Sequence, residues 1–516
     1  MKLCSRTVEA NTDKMGRERI FSMDEVAKHN SPTDCWLVLC GKVYDLTDFH
    51  PSHPGGSKII TDCAGMDATL LFEPIHPSDI AERLLSPDVK KGLVDKSTIR
   101  EEHIAKPEEE EKEGDILSAN GKPPIETMLN IFDFEDVAKK TMSKEGWCYY
   151  SSGADDEITL RENHNAFQRI WFKPRILVDV DKIDMNSKMF GYNTSIPLYI
   201  TATALGKLAD PEGEVALTKA ASNTGILQML PTLSSCSLDE MLEARSPGQV
   251  VFSQLYVNRE RQRTLEYVTR CEREGVKALF ITVDAPQLGR REKDMRNKFK
   301  KQGTAVQKGD EAAGKVDRNQ GVARAISSFI DPSLNWKDLA WFKSITKLPI
   351  ILKGVQCAED ALMAFRHGCQ GVVLSNHGGR QLDLARSGIE ILPEVMEALR
   401  MEPGYTKDKF QVFVDGGIRR GADIFKAIAL GATAVGIGRP TIYSLAAYGR
   451  QGVEHMIDIF KTELEMCMRL MGTPTIHDIK PAHVITKNLS DHFAVQPQDN
   501  LMNGVYEPLV TQASKL

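Results

Sequence analysis

Gly371-Val372-Val373-Leu374-Ser375-Asn376-His377-Gly378-Gly379-Arg380-Gln381-Leu382-Asp383 combines a strand signal and a chemical signal within thirteen residues. Its first four residues are a continuous apolar, β-branched run, the pattern of a strand buried on both faces of a parallel sheet. The remainder is a Gly-Gly turn carrying a His and an Arg three residues apart. Such a pair at the carboxyl end of a strand suits proton abstraction beside an anion clamp. Read alone, the same turn could be a strand-to-helix connection whose His caps a neighbour.

Seven further runs of the same kind surround it: Pro197–Thr203, Gly225–Leu230, Val250–Val257, Ala278–Asp284, Pro349–Lys353, Phe410–Asp415 and Ala434–Gly438, each separated from the next by at least a helix-length segment. Alternating strand and helix patterns predict a parallel sheet. Eight units predict a (β/α)8 barrel, an α/β fold with its chemistry at the carboxyl ends of the strands. Those ends carry Ala202-Thr203-Ala204, Gln254-Leu255-Tyr256, Thr282-Val283-Asp284, Lys353-Gly354, His377 with Arg380, Asp415-Gly416-Gly417-Ile418-Arg419 and Gly438-Arg439. Gly-Gly after strand seven and Gly-Arg after strand eight are where such barrels cradle a phosphate with backbone N–H groups and a guanidinium. No Gly-x-Gly-x-x-Gly follows an early strand, so a nicotinamide Rossmann domain is unsupported.

Ahead of the barrel, residues 20–98 form a candidate small α+β domain. Ser22 caps a short helix from Met23, with Glu25 placed to complete a capping box. Cys35–Cys40 and Val43–Leu46 flank a Gly41-Lys42 turn and predict a hairpin. His53, in His50-Pro51-Ser52-His53-Pro54-Gly55-Gly56, and His76, in Phe72-Glu73-Pro74-Ile75-His76, sit on Pro-bounded turns and could ligate one iron from opposite faces. Single loop histidines are more often surface residues. Residues 99–124, rich in Glu, read as a solvated acidic hinge. Residues 125–490 contain the barrel, and 491–516 are a weakly patterned tail.

With 516 residues and 26% charged side chains, the chain has room for two or three soluble domains. The net charge of −6 sits in front: 12 acidic against 8 basic residues in 21–100, and 8 against 2 in 101–115. That balance argues against a nucleic-acid partner. Ten cysteines carry no Cys-x-x-Cys pair, so unpaired thiols are expected. No apolar run reaches transmembrane length. Met1–Arg19 carries Glu9, Asp13 and Glu18 and no apolar core, unlike a secretory or transit peptide; cytoplasm follows as one expectation.

The front segment, by Tyr44-Asp45-Leu46-Thr47 with Phe49, the His53 turn and the His76 turn, resembles the cytochrome b5 family. The resemblance implies haem b with His53 and His76 as axial ligands. Tyr149-Tyr150-Ser151-Ser152-Gly153-Ala154, Gln254 to Tyr256, Thr282 to Pro286, Leu352 to Val355, Ser375 to Asp383 and Val414 to Arg420 resemble the FMN-dependent 2-hydroxy acid dehydrogenase/oxidase family. This implies His377 as the base, taking either the α-proton or the hydroxyl proton, with Asp284 orienting it. Arg380, Tyr149 and Arg291 would hold the substrate carboxylate, Tyr256 the hydroxyl, and Lys353 the reduced flavin. Ala202, Thr203, Ala204, Gln254, Thr282, Ser375, Asp415 and Gly417 would line the flavin and ribityl chain, with Arg419, Gly438 and Arg439 at the phosphate.

Leu233 and Ala204 resemble lactate-type members and favour L-lactate. Pro231 departs from the family's small hydroxyl residue and offers the flavin neither a hydroxyl nor an N–H. The long polar segment Lys293–Arg324 resembles the family's mobile loop. Cytochrome c as acceptor, a homotetramer and the mitochondrial intermembrane space are further implications. A peroxide-forming 2-hydroxy acid oxidase and a non-catalytic haem and flavin carrier are the rival readings.

Overall fold

The computed structural model describes residues 18–53, 56–74, 76, 80–106, 121–296 and 329–492. Pro54, Gly55 and Ile75 of the haem motifs, the hinge core 107–120, most of the segment Lys293–Arg324, and the tail from 493 lie outside the described residues. The chain divides into two compact units, Met1–Gly121 and Lys122–Leu516.

In the first unit, β1 (Ile20–Phe21), β2 (Asn30–Ser31), β3 (Asp34–Leu39), β4 (Lys42–Asp45) and β5 (Lys90–Val94) form one sheet in the order β1-β5-β4-β3-β2. Alternation in β3 splits the core. Val38 packs with Phe21, Met23, Val26 and Val43 on one face, while Cys35, Leu37 and Leu39 pack with Ile60, Cys63 and Ala64 on the other. Ser22 caps the helix Met23–Val26 by accepting from Glu25 N (3.3 Å), but only half of the expected capping box forms. The Glu25 carboxylate pairs with Arg19 instead (2.9 Å).

The front of the acidic segment also departs from expectation. Asp67 N donates to His103 O and Ala105 N donates to Asp67 O, binding residues 103–105 into the first unit with Ala105 in its core. The charged side chains of this stretch point outward, which is why composition alone read it as hinge.

The second unit holds β6 (Trp171–Phe172), which pairs with β17 (Val484–Ile485), and the hairpin of β7 (Ser187–Met189) and β8 (Tyr192–Thr194). Then come β9 (Leu198–Ile200), β10 (Leu227–Leu230), β11 (Val251–Leu255), β12 (Leu279–Thr282), β13 (Ile350–Val355), β14 (Gly371–Leu374), β15 (Gln411–Asp415) and β16 (Ala434–Ile437). These eight are parallel and close into a barrel when β16 pairs with β9, as expected. Tyr199, Met229, Phe252, Phe280, Ile351, Val373 and Phe413 fill the interior. The hairpin seals the amino-terminal end, with Met189, Phe190 and Tyr192 packed on that core and Phe190 N bonded to Gln411 (3.1 Å).

A two-residue step along a strand returns to the same face. Five of the interior residues are therefore followed by a polar one at the open end: Phe252 by Gln254, Phe280 by Thr282, Ile351 by Lys353, Val373 by Ser375, and Phe413 by Asp415. Burying each interior Phe contributes about 1.5–3 kcal/mol. The core layer thus stabilises the floor on which the polar layer stands. Among the described residues, no helix is long and apolar enough to cross a membrane, and all nine described cysteines are free.

Candidate active site

The open end of the barrel encloses a cavity. Its wall includes Ala202, Thr203, Ala204, Pro231, Leu233, Gln254, Tyr256, Thr282, Arg291, Lys353, His377, Arg380, Asp415, Gly417, Arg419, Gly438 and Arg439 from strand ends and the loops that follow them, with Tyr149 from the helix Lys144–Ser151.

His377 stands at its centre. The loop after β14 holds it at φ +60°, a left-handed conformation that costs a non-glycine residue on the order of 1–3 kcal/mol and must be enforced by its surroundings. His377 N donates to Ser375 Oγ (3.0 Å). The ring lies between Asp284 Oδ1, 2.9 Å from Nδ1, and Tyr256 OH, 3.1 Å from Nε2. Burial would raise the Asp284 carboxyl, but His377 and Lys353 outweigh it and hold it below its ordinary value. As a carboxylate, Asp284 can only accept, so Nδ1 carries the proton and Nε2 keeps its lone pair facing the cavity. Burial also depresses His377, with Lys353 and Arg291 adding to the effect against Asp284, so the imidazole is neutral at pH 7. Asp284 reaches this position because Gly354, at φ +108°, leaves room: a Cβ there would lie 2.5 Å from the carboxyl carbon.

Arg380 is stacked 4.7 Å from the centroid of the Tyr149 ring, and its Nη1 donates to Tyr149 O (2.6 Å). Its Nη2 is buried without a partner among the described residues. Arg291 is buried beside it, donating from Nε to Arg380 O (3.1 Å). Burial and the neighbouring Arg380 push the Arg291 guanidinium down to about 9. Two adjacent buried guanidiniums, one with an unused donor, call for a planar anion.

Lys353 Nζ reaches Asp415 Oδ2 (3.2 Å) and Ser375 Oγ (3.1 Å). Burial opposes its charge, but Asp415 and Asp284 outweigh burial and raise the ammonium above its ordinary value. Ser375 therefore stands behind the cavity wall, where it supports Lys353 and His377. Its oxygen accepts from both of those groups, which leaves its own O–H as a donor. Gln254 donates to Thr282 Oγ1 (2.9 Å) and accepts from Thr232 N (3.1 Å), which fixes the orientation of its amide. Asp284 also stays out of the wall, as a group acting through His377 should.

At the far side, Arg419 N and Arg420 N both donate to Asp423 Oδ2 (3.0 Å each). Arg439 is spent differently from expectation. Its Nε, Nη1 and Nη2 donate to the carbonyls of Tyr150, Gly378 and Ser152 at 2.7–2.8 Å. It ties three loops together and keeps only its remaining N–H groups for an anion. Burial, Arg380 and Arg419 push its guanidinium down to about 10.

The residues present fit a flavin mononucleotide. Unpartnered buried oxygens on Thr201, Thr203 and Asp415 face a polyol-sized space, Lys353 supplies a buried cation, and Arg419 and Arg439 with Gly438 form an anion cradle.

In the first unit, the ring centroids of His53 and His76 are 6.2 Å apart. Two imidazoles bound to one metal at about 2 Å would place their centroids about 6 Å apart, so the pair fits one iron between them. His53 Nδ1 lies 3.3 Å from Gly56 O, which directs Nε2 elsewhere. His50 is excluded: its ring nitrogens are engaged by Ser57 Oγ (2.6 Å) and Pro32 O (2.8 Å). The half-buried Phe49, Met66, Leu71 and Phe72 supply apolar surface that a macrocycle would cover.

Sequence reading missed Asn163, His164, Leu288 and Ile330 in the cavity wall. Asn163 exchanges side-chain hydrogen bonds with Asn376 (2.9 and 2.7 Å) across 213 residues of chain, a link with no local signal.

A parallel barrel whose open end carries a buried neutral imidazole, a carboxylate clamp and a phosphate cradle defines the class of flavin-dependent 2-hydroxy acid dehydrogenases. Comparison with known proteins agrees. Residues 138–486 match the FMN-dependent dehydrogenase family, and residues 22–95 match the cytochrome b5-like heme/steroid binding domain. The chain belongs to the FMN-dependent dehydrogenase family and carries a cytochrome b5-like domain in front of the barrel.

It is 50% identical over 483 residues to an L-lactate dehydrogenase (cytochrome) of Wickerhamomyces anomalus, covering 93% of this chain and 82% of that protein. It is 44% identical to a glycolate oxidase of Spinacia oleracea over 361 residues, 69% of this chain and 95% of that one. The flavin-binding domain of baker's yeast flavocytochrome b2 superposes with a TM-score of 0.66 at 47% identity, covering 76% of this chain and 96% of that structure.

Proposed function

We propose that the protein oxidises a short L-2-hydroxy acid, L-lactate to pyruvate, and passes the electrons singly through haem b to cytochrome c. Bound FMN supplies a two-electron acceptor and bound haem b a one-electron carrier.

The chain's own residues do the rest. Arg380 Nη2 and Arg291 take the substrate carboxylate, with Tyr149 beside them, and fix which face of the α-carbon is presented. The Tyr256 hydroxyl holds the substrate hydroxyl next to His377 Nε2. That nitrogen takes the proton, and Asp284 stabilises the imidazolium that results. Lys353 sets a positive charge at the inner wall, where negative charge develops. Leu233, Ala204 and Leu288 close the pocket around a small side chain. The observation that carries this reading is the pairing, in one cavity, of a neutral His377 with the unpartnered Arg380 nitrogen.

Glycolate oxidase similarity over the barrel alone supports a second reading, a peroxide-forming oxidase. The front unit with its facing histidines favours the first. Protein loaded with FMN and haem and given L-lactate should reduce cytochrome c far faster than it forms peroxide; peroxide as the main product would select the oxidase. The acidic front unit suits a basic electron acceptor. A homotetramer in the mitochondrial intermembrane space completes the proposal on family likeness, with the cytoplasm as the alternative; cell fractionation and light scattering test both.

A further inference from the structure

Gln381 follows Arg380 on the loop after β14 and has no part in the chemistry above. Its side chain nevertheless makes all four hydrogen bonds expected of a buried amide. Nε2 donates to Asp284 O (2.8 Å) and Gln287 O (3.1 Å). Oε1 accepts from Gly289 N (3.2 Å) and Arg291 Nη2 (3.1 Å). All four partners lie on one stretch, the loop leaving β12, which carries both the orienter of the base and the second guanidinium. The two loops also meet main chain to main chain: a Cβ on Gly289 would lie 2.2 Å from Gln381 O and 2.5 Å from Arg380 O.

We propose that Gln381 is a positioning residue that sets Asp284 behind His377 and Arg291 beside Arg380 as one rigid piece. A fully satisfied buried amide rigidifies what it joins, whereas each unmet partner pays a desolvation penalty. The two halves of the amide serve different ends. The donor half anchors Asp284 and Gln287; the acceptor half anchors Gly289 and Arg291. The catalytic consequences rest on the function proposed above; the hydrogen-bonded staple itself does not.

His377 faces Asp284, Lys353, Arg291 and Tyr256. Among these, Asp284 is the group that favours the imidazolium. Loosening it lets the His377 pKa fall, which moves the acid limb of kcat/KM to lower pH.

The test compares wild type, Q381M and Q381E, each loaded with FMN and haem, by kcat and KM for L-lactate across pH and by amide deuterium uptake in residues 284–291. Q381M removes both halves at similar volume. It should lower kcat/KM by roughly 10- to 100-fold and speed uptake across 284–291. Q381E keeps acceptors for Gly289 and Arg291 but sets oxygen against the carbonyls of Asp284 and Gln287. Its KM should stay within about threefold of wild type while its acid limb moves to lower pH.

Wild-type uptake in Q381M with kcat/KM within about threefold overturns the proposal. So does an unmoved acid limb in Q381E, which decides alone if Q381M does not fold. A wild-type protein inert toward every 2-hydroxy acid sinks the function instead, and uptake in 284–291 still decides the staple.

Discussion

His377 and the pair His53 and His76 are the same side chain built into opposite surroundings. In the barrel, the half-buried ring sits just past a strand end and both nitrogens are engaged, Nδ1 by Asp284 and Nε2 by Tyr256. In the front unit, the rings sit on loops, half-buried and edge to face at 77° between their planes, and among the described residues their only ring hydrogen bond is from His53 to Gly56 O. A base needs partners that define where its proton sits; a metal ligand needs a free nitrogen and a facing partner at the right separation. Hydrogen bonding, not residue type, separates the two roles.

That contrast can be broken at either end. His377→Gln should cost the most, lowering turnover with L-lactate by about 10²- to 10⁴-fold, the usual contribution of general-base catalysis. Haem reduction by dithionite should be untouched; loss of both signals would mean the two regions are not independent. Arg380→Lys keeps charge but loses the planar fork, and should raise KM with a cost of about 1.5–3 kcal/mol in kcat/KM. An unchanged KM would place the carboxylate elsewhere.

The acid limb of kcat/KM gives a gentler test. Burial depresses the His377 pKa, so the neutral base persists as pH falls and activity should decline only below the ordinary imidazole value of about 6.5. A limb above that value would contradict the buried neutral ring. The smallest effect is expected for Ser375→Ala, which removes the oxygen shared by Lys353 Nζ and His377 N. A several-fold loss in kcat, corresponding to about 1 kcal/mol, should appear with FMN still bound.

The barrel was legible because buried parallel strands leave unbroken apolar runs, and on five of them a polar residue two positions beyond an interior one marks the rim. His53 and His76 stood out through the cytochrome b5-like motifs around them, not through their Pro-bounded turns alone. What stayed hidden was every link between segments distant in sequence. Asn163 meets Asn376, Arg439 ties Tyr150 to Gly378, and Gln381 staples the loop of Asp284. Such contacts carry no period and no local motif. The support that Ser375 gives to Lys353 and His377 was equally hidden, because a strand-end hydroxyl does not announce which neighbours it will accept from. Residues 99–106 misled because their charge is on the surface while their backbone bonds to Asp67.

The central claim is that electrons removed by the His377 site leave through the haem held by His53 and His76. Anaerobic rapid mixing of L-lactate with wild-type and His76→Ala protein tests it most directly, following flavin and haem absorbance together. In the wild type, flavin should bleach first and haem reduction follow. His76→Ala should keep flavin bleaching within about twofold, lose the haem signal and lose cytochrome c reduction. Full cytochrome c reduction by His76→Ala, or a wild-type haem that stays oxidised while flavin bleaches, would contradict the account.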